Sequence, residues 1–209
     1  MCDTFTAILS PEHSFFGKNS DRHPDEFQFV YLSTDPVREF QEGPVQYEKK
    51  EYLESSFRLL KELFPQYEHP YSAIISKPDW IWGAEMGVNE KGLAIGNEAV
   101  FCRGKNQADG LLGMDILRLA LHNCQDVQEA VDFITTLIEV HLQGGNGSFK
   151  GKLYYHNSYI IKDFKRAVVL ETAGDRWALR EVEGFASISN SYSIRDDFQE
   201  TGRQDRYGT

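Results

Sequence analysis

The amino-acid sequence predicts an α+β domain with helices packed against antiparallel sheet. Three observations carry this. Short runs rich in β-branched and aromatic residues open the chain, separated by turn residues. The middle changes to helical periodicity, and strand-like runs return after about residue 152. With 209 residues, 41% hydrophobic and 26% charged, the composition is globular and the chain suffices for one sizeable core. A single domain over 1–209 is expected.

The elements follow in order. CDTFTAIL favours extended structure through Thr4, Phe5, Thr6 and Ile8. Ser10-Pro11-Glu12-His13 reads as a turn, and SFFGKNSD as the returning strand of a hairpin. FQFVYL (27–32) is a third strand. From about Tyr47, Leu53, Phe57, Leu60 and Phe64 recur at helical spacing until Pro65, a helical insertion at about 43–66. YSAIIS (71–76) and GLAIGNEAVF read as strands, the latter preceded by a turn at NEKG. A helix is expected from Leu112 to Asn123. A second starts at Asp126, where Asp126 and Glu129 have capping-box spacing, and stops at Gly144-Gly145. KLYYHNSYIIKD, RAVVLET, RWALREVEG and FASISNSYSI return to strand. The tail, about 196–209, carries no apolar pattern and reads as solvated.

Charge and cysteine usage exclude several classes. A net charge of -10 without a Lys/Arg cluster argues against a nucleic-acid partner; Lys49-Lys50 is flanked by Glu48 and Glu51. No apolar run approaches the ~20 residues of a membrane span, and no signal peptide is evident. Three cysteines are too few for a disulfide scaffold, which points to a reducing cytoplasm. The six histidines show no metal-binding spacing and no phosphate loop is present, so neither metal nor cofactor is expected.

Cys2 is the first candidate for chemistry. Removal of Met1 would leave it with a thiol and a free α-amine. A thiol near pKa ~8.5 needs a base, and an α-amine titrating near ~7.7–8.0 is one. Its other reading is a small apolar residue opening a strand. A hairpin over 2–21 returns Lys18 and Asp21 to Cys2, a cation for the thiolate and a carboxylate for the amine; a polar strand end is the alternative. Asn97 and Asn190 sit where strands disfavour asparagine. They read as oxyanion donors or as turn and bulge residues. Trp80, Trp82 and Tyr192 suggest an aromatic-lined site or core. Glu85 and Glu98 form a carboxylate pair only if the fold joins them.

Taken together, MCDTF, FGKNSDR, SKPDWIWGAEMGVNEKGLAIGNEAV, LLGMDILRLAL, YHNSYIIKD, VLETAG and ISNSYSI resemble the secernin and dipeptidase C69 family of N-terminal nucleophile hydrolases. The resemblance covers most of residues 2–194. It implies a four-layer αββα sandwich of two antiparallel sheets, and hydrolysis of C–N amide bonds in a small peptide or amide substrate. It assigns Cys2 as nucleophile, Asp21 as the contact of its amine, and Asn97 and Asn190 as the oxyanion-side asparagines. Lys18 stands where the wider superfamily has arginine and, with Trp82, is expected to bind substrate. Two other outcomes fit the resemblance: a non-catalytic adaptor in secretion, and acyl transfer to an amine, as in related penicillin acyltransferases. Chains of this kind continue beyond the point where this one ends, at Thr209. An incomplete C-terminal part is therefore expected, and an incomplete sheet favours a homo-oligomer.

Overall fold

A computed structural model describes residues 2–10, 12–43, 50–102 and 108–202. The expected hairpin is β1 (Asp3–Ser10) and β2 (His13–Asn19), antiparallel with Thr4 opposite Lys18. β3 (Gln28–Ser33) follows, then a short helix, α1 (Pro36–Glu42), which periodicity does not predict. Its signals are local: Asp35 accepts from the Arg38 N–H as N-cap, and Pro36 stands in the first turn. The expected single insertion helix is two pieces, α2 (Lys50–Glu54) and α3 (Ser56–Leu63), extended by a 3-10 turn at Phe64–Gln66. Its stretch at 44–49 lies outside the described residues, as do Pro11 and tail residues 203–209.

β4 (Ala73–Pro78), β5 (Met86–Asn89) and β6 (Ala94–Val100) form a meander. The β5–β6 turn needs a glycine. Gly92 has φ +82° and lies against the Phe164 ring, leaving no room for a side chain. α4 (Gly113–Asn123) and α5 (Val127–His141) come next, α5 capped by Asp126 accepting from the Glu129 N–H. β7 (His156–Lys162), β8 (Ala167–Ala173), β9 (Arg176–Glu181) and β10 (Phe185–Ile188) complete the strands, with a two-residue β11 (Glu200–Thr201) paired to β9. The tail is therefore not wholly free of structure: Glu200 and Thr201 add an edge pair.

The strands make two antiparallel sheets, one of order β10-β1-β2 and one of order β11-β9-β8-β7-β6-β5-β4-β3. One face of the larger sheet carries α4 and α5. The small sheet packs on the other, over β6 and β7. β7 is buried at all seven positions because both its faces are covered, which is why its sequence does not alternate. This is the expected α+β sandwich, with a correction: among the described residues no helix covers the outer face of the small sheet. Phe5, Phe15 and Phe185 stand exposed there, Phe185 by 64%. The small sheet also leaves β3–β5 uncovered, where Val30, Leu32 and Ile74 face solvent. No described helix is long and apolar enough to cross a membrane.

α4 is buried along its length although it carries Asp115, Arg118 and His122. These side chains are satisfied by the insertion and by α1. Asp115 accepts from Tyr52 Oη (2.9 Å) and Ser56 Oγ (2.6 Å). The Arg118 guanidinium donates to Trp82 O (2.5 Å), Ser33 Oγ (3.1 Å), His122 Nε2 (3.3 Å) and the Glu39 carboxylate, and lies 4.3 Å from the Trp82 ring. The insertion thus braces α4. Burial, and then the Arg118 charge, pull His122 down to about 3. The unfolded imidazole titrates near 6.5, so the unfolded chain binds the extra proton between these values. The His122 contribution to stability is full above about 6.5 and is lost as pH falls toward 3. Asp115, pushed up to about 6 by burial, works in the opposite sense above its unfolded value. Denaturation midpoints of wild type and His122→Gln across this window isolate the histidine: the variant is expected to lose less stability on acidification. Parallel curves would disprove it.

Candidate active site

The hairpin register decides where Cys2 sits. Asp3 pairs with Asn19 and Thr4 with Lys18, so the residue before β1 meets the chain leaving β2. The Asp21 N–H donates to Cys2 Sγ at 3.2 Å, and Asp21 O lies 3.8 Å from the sulfur. The other side of β1 belongs to β10, which sets Thr4 opposite Ile188 and brings Ser189 and Asn190 to the head of the strand. The Cys2 N–H donates to Asn190 Oδ1 (2.9 Å), and Ser189 Oγ donates to Cys2 O (3.2 Å). The nitrogen, carbonyl and sulfur of Cys2 are all held.

Strand alternation turns Thr4 and Lys18 inward, onto β6. There Glu98 Oε1 accepts from Thr4 Oγ1 (2.5 Å) and Lys18 Nζ (2.8 Å), with both charged side chains almost fully buried. Glu85 enters just before β5, where its carbonyl accepts from the Asn97 N–H (3.2 Å). Its carboxylate meets Arg22 Nη1 at 3.2 Å, and Arg22 also bonds Glu26. Lys18, Glu98, Glu85 and Arg22 border, with Cys2, one cavity of about 340 Å³.

The electrostatics favour a protonated thiol at rest. Burial pushes Cys2 above its ordinary value. The Asp21 N–H and Lys18 oppose this, while Glu98 and Glu85 reinforce it. Burial also raises the Glu98 carboxyl, against the pull of Lys18. Hydrogen bonding and attraction to the chain's amino-terminal ammonium hold the Asp21 carboxyl below its ordinary range.

Of the residues singled out in the sequence, Cys2, Lys18, Asp21, Asn97 and Asn190 line this cavity. Trp82 does not. It is a core residue on the opposite face of the larger sheet, packed against Arg118, Phe40 and Phe64. Trp80 is likewise core, its indole N–H on Glu26 Oε1 (2.6 Å). The two asparagine amides have protein partners. Asn97 Nδ2 donates to Asn157 Oδ1 (3.0 Å), and Asn190 Nδ2 to Ala99 O (2.8 Å). The carboxylates Glu85 and Glu98, which the sequence could not join, meet here with Arg22 and Tyr155. Alternation along GNEA was the available signal for Glu98: it points oppositely to Asn97, toward β1.

Comparison with known proteins fits this geometry. A sequence profile of the family described as acyl-coenzyme A:6-aminopenicillanic acid acyl-transferase matches residues 8–144. Among solved structures, the chain is similar to a mutant conjugated bile acid hydrolase from Clostridium perfringens, with TM-score 0.57 and 14% identity over 94% of this chain and 55% of that one. It is also similar to penicillin V acylase from Agrobacterium tumefaciens, with TM-score 0.50 and 12% identity over 91% of this chain and 52% of that one. At these identities the likeness is one of fold, that of the N-terminal nucleophile hydrolases. The chain spans about half the length of the structures it matches.

Proposed function

The chain belongs to the acyl-coenzyme A:6-aminopenicillanic acid acyl-transferase family, and on that premise we propose a cysteine-dependent hydrolase of C–N amide bonds, a dipeptidase, with Cys2 as nucleophile once Met1 is removed. One observation carries the reading: Cys2 N on Asn190 Oδ1 and Cys2 Sγ on the Asp21 N–H, beside the Lys18–Glu98 pair at the cavity. The long GAEMGVNEKGLAIGNEAV block and its resemblance to the C69 dipeptidases support the choice of peptide substrates.

The raised thiol needs a base, and in the processed chain the α-amine of Cys2 supplies it. Asn190 Oδ1, and Asp21 beside it, keep that amine oriented. The amine takes the thiol proton and the thiolate attacks the amide carbonyl. The oxyanion is met by Asn190 Nδ2 once it exchanges Ala99 O for substrate; Asn97 keeps its partner Asn157. Collapse breaks the C–N bond as the ammonium returns its proton to the leaving amine, leaving a thioester. Water, deprotonated by the same amine, attacks the thioester and expels the thiolate.

The family description favours a second reading, in which an amine rather than water receives the acyl group. The test is intact mass before and after brief iodoacetamide treatment, with the label mapped, followed by a dipeptide panel with and without an amine acceptor. Loss of Met1 and selective alkylation of Cys2 over Cys102 and Cys124 are expected, with free acid as product. Retained Met1, or a Cys2 no faster than the others, would overturn the reading. An acyl-amine product in place of free acid would select the transferase.

A further inference from the structure

Strand pairing does not place Asn190. β10 ends two residues before it, at Ile188, and past that point a lone bridge joins Ser189 to Ser191. Backbone N–H groups outside a ladder need acceptors, and here one side chain supplies them. Glu171 of β8 takes the Ser193 N–H (2.6 Å) and the Ser193 hydroxyl (2.9 Å) on Oε1, and the Ile194 N–H (3.1 Å) on Oε2. Alternation turns Glu171 to the same face as Val169, which packs under the small sheet near Ile194. Glu171 is 5% exposed, and hydrogen bonds to a carboxylate are the strong kind. The next residue, Thr172, accepts from Tyr192 Oη through its carbonyl (2.6 Å). β8 thus grips the segment at Tyr192, Ser193 and Ile194, just past Asn190. Asn190 in turn spans Cys2 N and Ala99 O. A displacement of roughly 1 Å would take the 2.9 Å contact between Cys2 N and Asn190 Oδ1 out of hydrogen-bonding range.

We propose that Glu171 is a positioning residue of the Cys2 site: its carboxylate fixes the Ser193–Ile194 backbone and thereby the reach of Asn190 to the Cys2 nitrogen. The assignment rests on the Cys2 reading of the preceding subsection. Glu171 does not border the Cys2 cavity, so it acts on the chemistry through Asn190. Loss of its carboxylate loosens the group that orients the Cys2 amine, while Asp21 and Lys18 stay beside the sulfur.

The experiment is a double-mutant cycle read by the rate of Cys2 alkylation with iodoacetamide, in wild type, Glu171→Ala, Asn190→Ala and the double variant. Each single variant is expected to slow alkylation by about fivefold or more, and the double variant no further than Asn190→Ala alone. A Glu171 that only supports the fold would multiply the two factors. Cys124, buried in the core, reports folding by staying unlabelled. Should Glu171→Ala not fold, Glu171→Gln keeps one acceptor oxygen and runs the same cycle with a smaller factor. Either single variant reacting at the wild-type rate or faster, or factors that multiply in the double variant, would overturn the proposal. Intact mass and Cys2→Ala keep the two claims apart. Retained Met1, or amide hydrolysis surviving in Cys2→Ala, sinks the nucleophile assignment; multiplied factors with Met1 removed sink the role of Glu171 alone.

Discussion

Replacing Cys2 by alanine is expected to lower kcat/KM for amide hydrolysis by about 10³-fold or more while leaving the fold intact. Alanine keeps the backbone N–H on Asn190 and the carbonyl under Ser189, so what is lost is the sulfur alone. A chain that retains Met1 should be as inactive as the alanine variant, for a different reason. Its Cys2 nitrogen is an amide, which has no lone pair free to take a proton, and the thiol stays protonated under the combined push of burial, Glu98 and Glu85. Measuring hydrolysis of a dipeptide panel by wild type, Cys2→Ala and a Met1-retaining preparation checks both statements. Activity in Cys2→Ala that matches the processed wild type would remove Cys2 from the mechanism, and matching activity in the Met1-retaining preparation would remove its amine.

The largest stability effect is expected at Arg118. Its guanidinium is 1% exposed and serves Glu39, Ser33, His122 and the Trp82 carbonyl while stacked on the Trp82 ring. Arg118→Ala leaves the Glu39 carboxylate, still held by Tyr31 Oη and Ser33 Oγ, without its cation, takes the guanidinium donor from the Trp82 carbonyl and opens a void between α4 and α1. Removing one partner of a buried pair costs about 3–5 kcal/mol. At 2–4 °C per kcal/mol for a chain of this size, Tm falls by roughly 10 °C. Arg38→Ala is the control. Its pair with Glu42 is mostly exposed and of i,i+4 spacing, worth about 0.3–0.5 kcal/mol. Equal shifts in the two variants would show that the buried network contributes nothing particular. Cys2 lies on the other side of the larger sheet, so alkylation of Cys2 in folded Arg118→Ala should proceed at the wild-type rate.

Local signals made several features legible. The β1–β2 hairpin follows from two extended runs around a turn, and it places Lys18 and Asp21 at Cys2 without further information. α4 and α5 follow from periodicity and the Asp126 cap. α1 escaped because seven residues give too little period, although Asp35-Pro36 announced its start. Trp82 was misplaced because an aromatic residue beside a motif is equally suited to pocket and core. Only the packing of α1, α3 and α4 directs it to Arg118.

The sequence by itself determined that a cysteine heads the first strand, that a cation and a carboxylate return to it, and that an asparagine follows a later strand. These are contacts of short range or positions at element ends. The tertiary structure decided the partners. Asn190 reaches Cys2 across 188 residues and Glu98 reaches Thr4 across 94, through strand registers that no local preference sets. Register also chooses the face: a shift of one residue would have turned Glu98 away and Asn97 toward Lys18. Which amides are spent depends on that choice.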